Sequence, residues 1–141
     1  MIRLRSALLL LLPVLLMANK CREAAGGTAN ASLLDTKWFI QTLNGKAFEL
    51  PEGVERPWLQ LAGEQVSGFN GCNQVMGAFK LDAKDGRIGF PDLASTRKYC
   101  EPTADLEKGL MSALGKVDSY EMKDGTLRLL SSGKELLTLK Q

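Results

Sequence analysis

From Leu33 onward, hydrophobic residues occur in short alternating runs that are separated by turn-forming residues. Trp38 and Ile40 fall on one face of the segment 37–43, and Asn44-Gly45 then supplies the left-handed backbone that a tight hairpin needs. Further apolar runs of this kind occur at 57–61, 65–67, 75–81, 88–90, 126–130 and 135–139. The pattern indicates antiparallel strands, and its last two runs predict a terminal hairpin.

A single segment has the period of an amphipathic helix. Its apolar positions are Leu106, Leu110, Ala113, Leu114 and Val117. We expect the helix to begin at Pro102 or Thr103 and to cover a sheet with its apolar face. The predicted fold class is therefore α+β: a twisted antiparallel sheet, or a partial barrel, with one amphipathic helix packed against it. Residues 33–141 are expected to form this domain.

The first twenty residues have the pattern of an export signal. Arg3 and Arg5 precede a run without polar residues from Ala7 to Met17. As a helix this run would rise about 16 Å, which is too short for a hydrocarbon core of about 30 Å. We therefore expect residues 1–20 to be a signal peptide. Residues 21–32 are mostly small and polar, which predicts a flexible tether.

Cys21 is the predicted lipid attachment site. Cleavage directly before it would leave an N-terminal cysteine, as in bacterial lipoproteins, and the segment 16–21 resembles their signal. Lipidation would also remove the odd thiol from a chain with three cysteines. The predicted location is the cell envelope, with the chain lipid-anchored to a bacterial membrane. Because Lys20 stands where such signals usually carry a small residue, a periplasmic or secreted protein is the alternative.

Cys72 and Cys100 are predicted to form a disulfide, because cysteine pairs in exported proteins are usually oxidised. The bond would close a loop of 29 residues and stabilise the fold by about 3 to 4 kcal/mol. The alternative is a redox-active thiol pair. The sequence lacks the Cys-x-x-Cys spacing that is typical of such pairs.

The composition argues against several classes of function. The chain has no histidine, which leaves a cysteine hydrolase without its usual base and a zinc site without enough ligands. We therefore predict no catalytic residues, no metal and no cofactor. Residues 1–20 contain three of the 18 basic residues and no acid, which leaves 15 basic against 16 acidic residues. A nucleic-acid partner is not expected from this balance.

Two loops flank the cysteines and form the candidate binding surface. Asn70 and Asn73 surround Cys72, while Thr96 and Arg97 precede Cys100. Asparagine tolerates left-handed backbone and bonds to its own main chain, so a shaped loop is the favoured interpretation and ligand contact is the alternative. The glycines at 68, 71 and 77 are also expected to serve turn geometry.

Several motifs in one order resemble the META/HslJ family of small bacterial envelope domains. They are Trp38 in a hydrophobic strand, Gly71-Cys72-Asn73 followed by Gly77, the segment 96–100 ending in Cys100, and the helical pattern. Lys98 stands where the family usually has methionine. The resemblance covers residues 33–141. It implies the fold, an envelope setting and, in some members, a link to heat or antibiotic stress, but no defined catalytic activity.

The predicted function is a non-enzymatic, envelope-anchored domain. Its expected partners are the membrane, through the N-terminal lipid, and an envelope protein, envelope component or small ligand in envelope or stress functions. Two alternatives remain at this point: a thiol-disulfide redox protein that uses Cys72 and Cys100, and an inhibitor of a protease.

Overall fold

The computed structural model describes residues 33–141. The predicted signal peptide (1–20), the predicted tether (21–32) and the predicted lipid attachment site, Cys21, lie outside the described residues. Within residues 33–141, no helix has the length and apolar character needed to cross a membrane.

Nine strands, one 3-10 helix and one α-helix make up the described part of the chain. The strands are β1 (Lys37–Leu43), β2 (Lys46–Ala47), β3 (Trp58–Ala62), β4 (Gln65–Phe69), β5 (Gln74–Asp82), β6 (Arg87–Ser95), β7 (Ser119–Lys123), β8 (Thr126–Ser131) and β9 (Lys134–Lys140). Between β6 and β7 lie the 3-10 helix (Glu101–Thr103) and the α-helix α1 (Ala104–Leu114). The predicted α+β class is confirmed.

All strand pairings are antiparallel, and neighbours in the sheet follow the order β2-β1-β3-β4-β5-β6-β7-β8-β9. Strand β1 also pairs with β9, from Phe39 opposite Lys140 to Leu43 opposite Leu137, so the sheet is ring-like. The contact between β6 and β7 is narrow and has Arg87 opposite Ser119. Because β6 continues beside β5 as far as Ser95, its C-terminal half extends past this contact toward the segment that contains Cys100.

Two-residue turns with positive φ join several hairpins, and the predicted turn at Asn44-Gly45 is one of them. Asn44-Gly45 joins β1 to β2, and Asp124-Gly125 joins β7 to β8. The terminal hairpin is confirmed as β8 and β9, which are joined by Ser132-Gly133. These turns have the backbone twist that a tight antiparallel hairpin requires.

The core lies on the inner face of the sheet and under α1. Trp38 is fully buried, and its Nε1 donates a hydrogen bond to Leu33 O at 3.0 Å. The helix buries Leu110, Ala113 and Leu114. It lies so close to β1 that a Cβ at Gly109 would come 2.8 Å from Leu43 Cδ2.

The helix is shorter at its C-terminal end than its apolar pattern suggests. It ends at Leu114 with Gly115 as its C-cap. Val117 is buried but lies beyond the helix, in a turn where its N–H donates to Leu114 O at 3.3 Å. The apolar stripe continued past the helix because both segments cover the same core.

The prediction that Gly68 and Gly77 serve turns is wrong. Gly68 lies in β4 and Gly77 in β5, and a Cβ at either would collide with the backbone of the neighbouring strand. Gly71 is the one glycine of the three that occupies a turn with positive φ, +102°. The strand glycines therefore allow close approach of backbones, a role that turn propensity does not reveal.

Candidate functional site

The predicted disulfide is present between Cys72 and Cys100, whose Cα atoms are 5.8 Å apart. It joins the turn between β4 and β5 to the segment that follows β6. Cys72 is buried and Cys100 is half-buried. The bond therefore fixes one end of residues 96–100, which we call the 96–100 loop.

Asn70 shapes the turn that carries Cys72. Its Oδ1 accepts hydrogen bonds from the backbone N–H groups of Cys72 at 3.2 Å and Asn73 at 2.8 Å. The backbone N–H of Asn70 donates to Asn73 O at 3.0 Å. Asn70 is buried, and its Nδ2 has no hydrogen-bond partner within the described residues. This asparagine therefore acts on the local backbone.

Asn73 links the turn to the 96–100 loop through both atoms of its side-chain amide. Its Oδ1 accepts hydrogen bonds from Thr96 Oγ1 and from the backbone N–H of Lys98, both at 2.7 Å. Its Nδ2 donates to Lys98 O and to Glu107 Oε1, both at 2.9 Å. Asn73 is only 1% exposed, and these four bonds use the full capacity of its amide.

The N-terminal end of the loop is held by Thr96. Its backbone N–H donates to Gln74 O at 3.1 Å, and its Oγ1 accepts from the backbone N–H of Gln74 at 3.1 Å. At the other end, the buried Thr103 donates its backbone N–H to Cys100 O at 3.1 Å. The loop is thus fixed at both ends and at Lys98 in its middle.

The tip of the loop is exposed and carries two cations and an aromatic ring. Arg97, Lys98 and Tyr99 are all exposed. Tyr99 is 81% exposed, and Met76 is the one other large hydrophobic residue exposed within residues 33–141. Among residues 33–141, neither Arg97 nor Lys98 forms an ion pair. The loop therefore presents unpaired positive charge and an aromatic surface on a constrained backbone.

The structure brings the four predicted binding-loop residues together but gives them different roles. Asn70 and Asn73 are buried and bond to the chain itself, while Arg97 is exposed. Thr96 has both properties: the residue is exposed, but its hydroxyl donates a hydrogen bond to Asn73 Oδ1. Whether any of them contacts a ligand stays a prediction.

Tyr99 and Glu107 also belong to this site, and the sequence patterns did not predict either of them. Tyr99 lies outside every alternating or helical pattern, which is the one sequence signal of its exposure. Glu107 carries no such signal, because its bond to Asn73 joins positions 34 residues apart.

Besides the 96–100 loop, residues 33–141 could hold two further kinds of site, a metal-binding cluster or a cavity. Residues 33–141 contain no group of three or more cysteine, aspartate or glutamate side chains that could hold a metal ion. An open cavity of about 420 Å³ lies around Gly89, where β5 and β6 meet β7. Its charged lining residues are Lys80, Asp82, Arg87 and Asp118, so neither sign of charge dominates.

Comparison with known families and structures gives one family and several similar folds. The family model described as META domain matches residues 31–141. No curated protein matches the chain.

Three solved structures are similar to the chain. The NMR structure of a protein from Burkholderia xenovorans is 28% identical, with a TM-score of 0.62 over 80% of this chain and 86% of that one. A second NMR structure is 22% identical, with a TM-score of 0.60 over 78% and 92% of the two chains. The crystal structure of a DUF4847 family protein from Bacteroides vulgatus is 15% identical, with a TM-score of 0.54 over 79% and 94%. The last two support the fold alone.

Proposed function

Because the chain belongs to the META domain family, we propose that it is a non-enzymatic binding domain of the bacterial cell envelope that contacts its partner through the 96–100 loop. The observation that carries the proposal is the exposed Tyr99 beside Arg97 and Lys98 on a loop that Asn73 and the disulfide constrain. Tyrosine and arginine are enriched among the residues that dominate binding energy. A constrained loop also loses less conformational entropy on binding.

The envelope setting is proposed from the sequence. A signal peptide at 1–20 would export the chain, and a lipid on Cys21 would hold the domain at a membrane through residues 21–32. An oxidising compartment also agrees with a disulfide in a domain of this size. The binding activity would then serve envelope or stress functions at that membrane.

Mass spectrometry of the protein isolated from its native envelope without reductant tests the anchor. We expect a diacyl or triacyl adduct on Cys21 and a peptide in which Cys72 is linked to Cys100. An unmodified Cys21, or cleavage at another position, would refute the lipid anchor and leave a periplasmic or secreted domain.

Capture of partners by the full chain tests the binding surface. The oxidised protein would be cross-linked in its native envelope and recovered together with the proteins attached to it. We expect Arg97→Ala and Tyr99→Ala to reduce capture of the same partner. Met76→Ala is the matched control, because Met76 is a large hydrophobic side chain, 51% exposed, on the outer face of β5. If Arg97→Ala and Tyr99→Ala captured the partner as well as Met76→Ala and the parent chain do, the proposal would be contradicted.

The alternative function, a thiol-disulfide redox protein, requires a disulfide that is accessible and easily reduced. Thiol exchange requires a sulfur that an attacking thiolate can reach. Cys72 is only 4% exposed and Cys100 is half-buried. A reduction potential below about −300 mV would support a structural bond, whereas a value between about −270 and −120 mV would support the redox protein.

A further inference from the structure

We infer that the 96–100 loop is the reactive-site loop of an inhibitor of serine proteases that cleave after arginine or lysine. This inference rests on the proposed function, because it takes the same loop as the binding surface and names the class of partner. The bond presented to the protease is the one between Arg97 and Lys98. Four observations support this assignment.

First, Arg97 has the chemistry that the specificity pocket of such a protease requires. Its side chain is exposed and forms no hydrogen bond or ion pair within residues 33–141. Trypsin carries an aspartate at the base of its specificity pocket, which pairs with an arginine or lysine side chain. Arg97 can therefore enter that pocket without breaking an interaction of its own domain.

Second, the loop is held in place before a protease binds. Thr96 bonds to Gln74 through its backbone N–H and its hydroxyl, and Cys100 is tied to Cys72. An ordinary substrate must lose backbone freedom when it binds, and this loss of conformational entropy opposes binding. Much of this loss has already occurred in the folded domain, which favours tight binding.

Third, Asn73 holds both sides of the Arg97–Lys98 bond. Its Oδ1 accepts from Thr96 Oγ1 on one side and from the backbone N–H of Lys98 on the other, and its Nδ2 donates to Lys98 O. When the protease serine Oγ attacks the Arg97 carbonyl carbon, an ester forms and the Lys98 nitrogen leaves as an amine. The bond to Asn73 Oδ1 keeps this amine beside the ester. The Lys98 amine then attacks the carbonyl carbon of the ester. This step reforms the Arg97–Lys98 peptide bond and releases the serine Oγ.

Fourth, hydrolysis of this bond would not separate the chain. The Arg97–Lys98 bond lies inside the loop closed by Cys72 and Cys100. Addition of water would give a carboxyl group on Arg97 and an amine on Lys98, with both segments still joined through the disulfide. Cleavage would therefore not release either segment of the loop from the domain, as it would in a chain without this bond.

Inhibition of trypsin by the oxidised full chain tests the inference. We expect competitive inhibition against a chromogenic arginine substrate. Arg97→Ala should weaken it by about 100-fold or more, because a central charged anchor is lost, and Arg97→Lys should retain it within about tenfold. Lys84→Ala is the matched control, because Lys84 is also an exposed cation inside the loop closed by the disulfide. It should inhibit as the parent chain does.

A change of protease specificity provides a test in which a variant is expected to gain inhibition of a second protease. Arg97→Phe should lose inhibition of trypsin and gain inhibition of chymotrypsin, because the side chain at this position selects the pocket. In Asn73→Ala, the leaving amine is no longer held, so the loop should be cleaved and inhibition should decay with time. Gel analysis under reducing conditions would show the cut chain.

Absence of trypsin inhibition by the oxidised parent chain would overturn the inference, as would rapid cleavage of it as an ordinary substrate. If inhibition is absent while Arg97→Ala and Tyr99→Ala still reduce capture of an envelope partner, the protease inference fails and the proposed binding function stands. If inhibition is absent and capture is unaffected, both fail.

Discussion

Asn73 and Lys98 lie 25 residues apart and are joined by two hydrogen bonds that run in opposite directions. The backbone N–H of Lys98 donates to Asn73 Oδ1 at 2.7 Å, and Asn73 Nδ2 donates to Lys98 O at 2.9 Å. A side-chain amide thereby replaces the peptide group of a neighbouring strand. The two bonds therefore hold the backbone at Lys98 beyond Ser95, where β6 and its pairing with β5 end.

The first prediction concerns the stability that this amide supplies. Asn73→Ala should lower the free energy of unfolding by about 2 to 4 kcal/mol, because four hydrogen bonds of a buried amide are lost at once. Urea denaturation of the oxidised protein measures the change. Gln74→Ala is the neighbouring control, because Gln74 is exposed and its side chain forms no hydrogen bond within the described residues. Equal losses in the two variants would contradict the role given to Asn73.

The second prediction concerns the disulfide. Replacement of Cys72 and Cys100 together by alanine should lower the free energy of unfolding by about 3 to 4 kcal/mol, because the unfolded chain regains the freedom of the closed loop. Changing both residues avoids a free thiol. Thermal unfolding with and without reductant measures the effect, and the double variant should not respond to reductant. A melting temperature equal to that of the oxidised parent would refute a stabilising bond.

Local sequence signals were sufficient where short-range geometry decides the structure. Asn44-Gly45 predicted a hairpin turn because both residue types tolerate positive φ. The cysteine pairing was also predictable, since the pattern of an export signal and the number of cysteines limit the choices. The family motifs predicted the order of the strands, the helix and the terminal hairpin along the chain, but not the order of the strands in the sheet.

Non-local contacts decide the rest and could not be derived from local patterns. The buried amide of Asn73 acts through positions 96, 98 and 107, which no spacing rule connects to it. Gly68 and Gly77 look like turn residues in the sequence, but their role depends on how closely a neighbouring backbone approaches. The exposure of Tyr99 follows from the fixed path of the loop, whereas residue type alone favours partial burial.

The third prediction compares a strand glycine that leaves no space for a Cβ, Gly77, with one that does, Gly89. A Cβ at Gly77 would collide with Asp92 O in β6, whereas the atom nearest to a Cβ at Gly89, Val117 O, would be 3.6 Å away. Gly77→Ala should therefore destabilise the domain by about 1 to 3 kcal/mol, and Gly89→Ala should be tolerated. Denaturant midpoints of the two variants provide the comparison. Similar midpoints would show that β5 and β6 can separate without cost.

The fourth prediction concerns Asp118, which joins the segment before β7 to the turn between β8 and β9. Its Oδ1 accepts a hydrogen bond from Ser119 Oγ, and its Oδ2 accepts one from the backbone N–H of Ser132, both at 2.7 Å. The bond from Ser119, then the bond from Ser132, holds the pKa of Asp118 below its ordinary value of 3.8, and the positive charge of Arg87 contributes further.

Because the pKa of Asp118 is lower in the folded state, its stabilising contribution is complete above the unfolded pKa near 3.8 and disappears as the pH falls through the folded value. Asp118→Asn should therefore lower the melting temperature at pH 6 and approach the parent protein at pH 2. The control is Asp92→Asn, because the exposed Asp92 carboxylate accepts no hydrogen bond within residues 33–141. A constant difference between Asp118→Asn and the parent protein from pH 2 to 6 would assign the effect to shape and not to charge.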